Sequence, residues 1–215
     1  MKPMRSSSLR PLAAAVAVML LAGCSLLGGG KQRDPVTIYA PQVHVPVDPN
    51  WPAVTWQLAV YQPTAARIVD SPRIAVRPVP GELQVYKGVS WAQPATDIVE
   101  ALVLRTLEDS GKIPGVAMSS SGLRADYRLV MELRRFESDY AGKALPSATI
   151  ELNAKLLHAS DQRVVSSRTF LQVEPASGTE MAQVAPAFDR ALEKLGGELV
   201  GWVLTSGETD ARNKR

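Results

Sequence analysis

Hydrophobic and polar positions change period several times along the chain, and each change marks an element. The clearest pattern lies near the C-terminus. Met181, Val184, Ala185, Phe188, Leu192, Leu195, Leu199 and Trp202 fall at three- and four-residue steps, the spacing of one buried helix face. Ser177 and Glu180 have the spacing of a capping box for this helix. Pro186 conflicts with so early a start, because an interior proline costs about 3 kcal/mol. Two readings stay open: a helix kinked at Pro186, or one that begins near Val184 with Pro186 in its first turn. Gly196-Gly197 is a second weak point, at about 1 kcal/mol for each glycine. Small residues there would allow close approach to a sheet.

Upstream the period drops to two. Tyr127, Leu129, Met131 and Leu133 alternate with Arg128, Glu132 and Arg134, which predicts a half-buried strand. Ala148, Ile150, Leu152, Ala154 and Leu156 alternate with Thr149, Glu151, Asn153 and Lys155. After the turn Ser160-Asp161-Gln162, a returning strand over 165–173 closes an antiparallel hairpin. Shorter strands are predicted over 54–61, with Trp56, Leu58 and Val60 on one face, over 73–79 and over 83–86. Pro94 opens and Gly111 closes a helix over 94–110, which carries Ile98, Val99, Leu102 and Val103. Strands, helix, strands, helix is an α+β order. It predicts a mostly antiparallel sheet with two helices packed on one face, after a Pro/Gly-rich tether. No internal repeat is visible.

The flanks are different in kind. Residues 24–53 hold Gly28-Gly29-Gly30 and five prolines, which predicts a tether. Its length beyond residue 24 could reach roughly 100 Å at full stretch, or about 30 Å as a coil. Residues 36–39 could dock as a short edge strand and shorten it. The triple glycine is no phosphate loop, since neither a strand before it nor a Lys-Ser/Thr pair after it is present. The folded domain is placed at 54–205, and the polar residues 206–215 are expected to be a disordered tail.

The first residues fix the compartment. Lys2, Arg5 and Arg10 precede an 11-residue apolar run over 12–22, and Leu21-Ala22-Gly23-Cys24 follows. A basic region, a short apolar core and a small-residue cleavage site make a secretory signal over 1–23. The run is too short for a bilayer-spanning helix, which needs about 18–20 residues. Cys24 is the single cysteine among 215 residues, so no disulfide framework can form within the chain. The segment resembles the bacterial lipobox, which implies a diacylglycerol on the Cys24 thiol and acylation of the new amine. Several acyl chains anchor a protein firmly where one binds reversibly. By resemblance to enterobacterial lipoproteins, Ser25 after the cysteine points to the periplasmic face of the outer membrane.

The charge balance then changes. Residues 1–23 hold 3 of the 24 basic residues and none of the 21 acidic ones, so the mature chain stands at 21 against 21. The formal +3 belongs to the signal peptide, and nucleic acid is not an expected partner. Catalytic constellations are not recognisable. His44 lies in the tether and His158 at a hairpin end, neither with a recognisable partner. Glu108 and Asp109 are adjacent on a helix and so do not face each other. Arg134-Arg135 reads as a solvated strand face. No nucleophile-elbow, Ser-x-x-Lys or His-Glu-x-x-His motif is present, and two distant histidines make a transition-metal site improbable. The expectation is no enzyme, no catalytic or cofactor-binding residue, no metal and no cofactor. Among the tryptophans, Trp56 and Trp202 are assigned to the core and Trp51 to external contact, while Trp91 fits either role.

Taken in order, the lipobox, Trp56-Gln57-Leu58-Ala59-Val60, Arg73-Ile74-Ala75-Val76-Arg77-Pro78, Leu83-Gln84-Val85-Tyr86, Trp91-Ala92-Gln93-Pro94 and the helix from Ala187-Phe188-Asp189 to Gly201-Trp202-Val203 resemble the ABC-type transport auxiliary lipoproteins, which include the paraquat-inducible lipoprotein C type. The resemblance implies a non-catalytic lipoprotein of an intermembrane lipid transport system. It would work with a periplasmic MCE-domain (mammalian cell entry) protein and indirectly with an inner-membrane permease and ATPase, and copies could form a homo-oligomeric ring. The residues alone leave other classes open: a lipid-binding carrier with a cavity between sheet and helices, a pilotin-like assembly factor, or an envelope hydrolase.

Overall fold

The computed structural model describes residues 35–213. The elements in chain order are β1 (Thr37–Tyr39), β2 (Gln57–Val60), β3 (Thr64–Ala65), β4 (Ala75–Arg77), β5 (Gln84–Val85), β6 (Val89–Trp91), α1 (Ala95–Ser110), β7 (Gly115–Met118), β8 (Tyr127–Asp139), β9 (Ser147–His158), β10 (Val164–Pro175) and α2 (Met181–Arg212).

β8, β9 and β10 form the predicted antiparallel ladder. Alternation works because successive side chains on a strand point to opposite faces. Leu129, Met131 and Leu133 of β8 are buried toward the helices, as are Leu152, Ala154 and Leu156 of β9. Leu133 then pairs with Leu152 while Arg135 pairs with Glu151, so Arg134 is an extra residue, a β-bulge. The bulge reverses parity: beyond it the even-numbered Phe136 faces the core, and Arg135 and Glu137 face the other side. The second edge of β8 takes three short parallel partners in succession: β2 at Tyr127, β3 at Glu132 and β4 at Glu137. β7 continues the sheet beside β2, again in parallel, and β5 closes a small antiparallel pair with β4. β1 and β6 make a separate two-stranded parallel sheet.

Both helices lie on one face of the main sheet, α2 across β9 and β10, and α1 against α2 and β7. This is the α+β arrangement expected from the sequence. α1 starts after Pro94 and ends at Gly111, whose left-handed φ of 60° lets its N–H bond back to Glu108. Between the layers, Phe136 stacks on Phe188 with ring centroids 5.0 Å apart, and Trp91 meets both edge-on. Such aromatic pairs contribute about 0.5–1.5 kcal/mol each beyond area burial.

α2 takes the earlier of the two starts that the sequence left open. Glu180 is its N-cap, and the capping box joins Glu180 to Gln183 where the sequence suggested Ser177 and Glu180. The Glu180 N–H donates to Oε1 of Gln183. Pro186 therefore lies inside the helix and removes the N–H that would reach the Ala182 carbonyl. The helix also continues to Arg212, which corrects the disordered tail expected from residue 206. Asp210 explains the extension: it accepts a hydrogen bond from the Tyr127 hydroxyl at 3.0 Å and pairs with Arg163. Gly207, one turn earlier, is buried beneath Trp56.

The N-terminal boundary moves as well. The compact unit begins at Val36, not at residue 54. β1 joins β6, the Ala92 N–H donates to the Tyr39 carbonyl at 2.8 Å, and Val45 and Trp51 belong to the core. Most of the predicted tether is thus a strap laid against the helices.

Candidate anchoring and contact surfaces

The strap over residues 36–53 is held by missing side chains on α2. A Cβ on Gly196 would stand 2.7 Å from Val45, and one on Gly201 2.7 Å from the Trp51 indole nitrogen. A Cβ on Gly207 would stand 2.4 Å from Trp56, just beyond the strap. Glycine costs about 1 kcal/mol in a helix interior, and here it is offset by seating three apolar side chains. The contacts continue elsewhere: the Val54 N–H donates to the Lys112 carbonyl, and Lys112 Nζ to the Pro49 carbonyl.

Where strap and helix diverge, a groove of about 480 Å³ opens between Val45, Pro46 and Trp51 on one side and Gly197, Gly201 and Trp202 on the other. Two of these residues exchange the roles expected for them. Trp51, assigned to external contact, is 8% exposed because Gly201 makes room for it. Trp202, assigned to the core, is only half-buried; its Nε1 donates to Ser166 Oγ at 3.2 Å and its ring meets Phe170 edge-on. A second opening of about 440 Å³ lies under the strap between Pro41, Val43, His44, Ile98 and Arg105. Neither opening is legible in the sequence, because each depends on residues about 55 to 150 positions apart.

Several charged groups are committed to one another. Glu137, 1% exposed, accepts a two-pronged bond from Arg77 at 2.8 and 3.0 Å and a third from Arg135 at 2.7 Å. The bond to Glu137 raises the Arg77 pKa above its ordinary value. Arg134, displaced by the bulge, turns to Glu132 and Glu151. The Arg134-Arg135 pair is therefore split between two sets of carboxylates, and neither guanidinium is left facing an empty site. Burial raises the carboxyl pKa of Glu100, and it raises the Tyr127 hydroxyl with added help from Asp210. Burial raises the Asp189 carboxyl as well, opposed by the neighbouring Arg190 charge.

The remaining residues singled out from the sequence stay apart. His44 is exposed on the strap. His158 Nδ1 lies 2.9 Å from Ser160 Oγ and 3.2 Å from Asp161, within its own turn. Glu108 and Asp109 are both exposed at the end of α1. Among the described residues, no group of three or more His, Cys, Asp or Glu side chains could hold a metal ion, and no helix is long and apolar enough to cross a membrane. Cys24, with the signal segment and the triple glycine, lies outside the described residues.

Comparison with known proteins agrees with this architecture. The chain is 61% identical to protein XCC0632 from Xanthomonas campestris, whose crystal structure superposes with a TM-score of 0.79 over 82% of this chain and 99% of that one. A crystal structure of an uncharacterized protein, 13% identical, shares the fold with a TM-score of 0.59 over 77% of this chain and 97% of that one. An uncharacterized protein of Bradyrhizobium diazoefficiens is 27% identical over 186 residues, or 86% of this chain, and the chain spans about half (49%) of that relative's length. Residues 37–200 match the family described as the ABC-type transport auxiliary lipoprotein component, and the match begins within one residue of the compact unit found in the structure. The chain belongs to the ABC-type transport auxiliary lipoprotein family.

Proposed function

We propose that this protein is a non-catalytic, lipid-anchored docking component of an intermembrane lipid transport system. Residues 1–23 are removed as a signal peptide, Cys24 carries the acyl chains, and the folded unit faces the periplasm from the outer membrane. Its partner is a periplasmic MCE-domain protein, which works with an inner-membrane permease and ATPase, and copies of the lipoprotein assemble into a ring. The observation that carries this reading is the family match over the folded unit, joined to a lipobox upstream of it. Anchoring supports docking physically, because tethering raises the effective concentration of a weak contact surface near the membrane.

The structure changes one quantity in this picture. With the strap docked, only residues 25–35 separate Cys24 from the folded unit. Eleven residues reach at most about 40 Å at full stretch. A lipid cavity between sheet and helices has less support, since Phe136, Phe188 and Trp91 pack together there. Replacing the anchor tests the proposal: Cys24→Ala should move the protein from the outer-membrane fraction to the soluble periplasmic fraction, with its circular dichroism unchanged. A Cys24→Ala protein that still fractionates with the outer membrane would overturn the anchoring role.

A further inference from the structure

β1 is the first element of the folded unit, and its two faces differ. Tyr39 packs against the core, while Ile38 on the opposite face is 64% exposed and Val36, the residue just before the strand, is 55% exposed. β1 is paired on one side by β6; among the described residues no strand pairs its other side. Across that ladder the Thr37 N–H donates to the Gly88 carbonyl at 2.9 Å, which places the exposed Lys87 beside the start of β1. An aliphatic pair with a lysine at its side has the composition of a surface that settles into a phospholipid headgroup layer.

The length of chain outside the fold says what covers this surface. Resting on the anchor proposed above, Cys24 is held in the bilayer and residues 25–35 lead directly into Val36. Even at full stretch this segment reaches only about 40 Å, no more than the diameter of about 40 Å expected for a unit of this size. On the proposed anchor, the end of the domain that bears β1 is the end joined to the lipid, which makes phospholipid the occupant that its exposed aliphatic face meets. We propose that the Val36–Ile38 face of β1 is a membrane-contact site for phospholipid, which orients the domain on its anchor.

The test uses the full acylated chain in phospholipid vesicles with a thiol-reactive, polarity-sensitive fluorophore. Val36→Cys places the probe on the proposed face and leaves Ile38 intact. Leu171→Cys places it on β10, at a side chain equally exposed at 55%. The expected result is emission at least ~3-fold brighter from position 36 than from position 171, with the excess lost when Ile38→Asp is added. Equal emission from the two positions, or an excess that survives Ile38→Asp, would overturn the contact site and leave the anchor standing. Labelling stoichiometry separates the two readings: an acylated Cys24 is blocked and gives one probe per chain. Two probes per chain would show a free Cys24 thiol and overturn the anchor, and the contact site with it.

Discussion

Three glycines on α2 and one buried carboxylate fix much of what individual residues contribute. Gly207→Ala drives a methyl into the Trp56 ring and Gly201→Ala drives one into the Trp51 indole. Overpacking of that kind costs about 1–3 kcal/mol, so thermal unfolding should show both variants destabilised. Gly197 is the contrast. Its nearest neighbour would be Val45 at 3.6 Å, an ordinary contact. Gly197→Ala should therefore stabilise by about 0.5–1 kcal/mol through helix propensity alone. Glu137→Gln leaves Arg77 and Arg135 without their shared counter-charge. It should cost about 2–3 kcal/mol in chemical denaturation, less than a fully buried pair because both guanidinium groups retain some solvent. Asp189 gives a pH-dependent case. Its folded-state pKa is raised by burial, so the charged form is the one disfavoured by folding. The resulting penalty is present above the raised pKa and disappears below the unfolded value of about 3.9. Asp189→Asn should accordingly raise the melting temperature at neutral pH, and the gain should vanish as pH falls through the carboxylate range.

At the scale of elements, length decides what the sequence reveals. β8, β9, β10 and α1 are long enough for a period to repeat, and their predicted bounds differ from the observed ones by a few residues. β3, β6 and β7 have two to four residues each, too few for alternation to register, and their parallel pairing depends on distant partners; β1, equally short, is the one of this kind that the sequence offers, as a docked edge strand over 36–39. The strap reads as a tether in sequence because prolines dominate its local composition. The seats that hold it, Gly196 and Gly201, lie about 150 residues further on. Residues 206–212 read as a tail because they are polar, yet Asp210 and Gly207 are engaged by Tyr127, Arg163 and Trp56. The Arg134 bulge is similarly invisible in composition, although the whole second half of β8 depends on it. Inserting an alanine between Arg135 and Phe136 would turn Phe136 outward and should prevent folding, whereas Arg134→Ala, which keeps the register, should leave the melting temperature nearly unchanged. A comparison of the two by differential scanning calorimetry checks this directly.

For the whole molecule, family match and architecture describe a member of the ABC-type transport auxiliary lipoprotein family whose folded unit begins at Val36. The candidate site is legible in the sequence only in part. The lipobox and Cys24 stand out because charge, apolar run length and small residues coincide. The contact surfaces do not, because the strap, α2 and β1 come together only in three dimensions. On the proposed account, the short chain between Cys24 and Val36 makes the domain a fixture close to its anchor, and its work is done by the protein it holds. The most direct measurement is a cross-linked pull-down of the acylated protein from intact cell envelopes, with partners identified by mass spectrometry. The account predicts recovery of an MCE-domain transport protein, lost in the Cys24→Ala strain. Recovery of secretion machinery instead, or the same partners irrespective of Cys24, would contradict it.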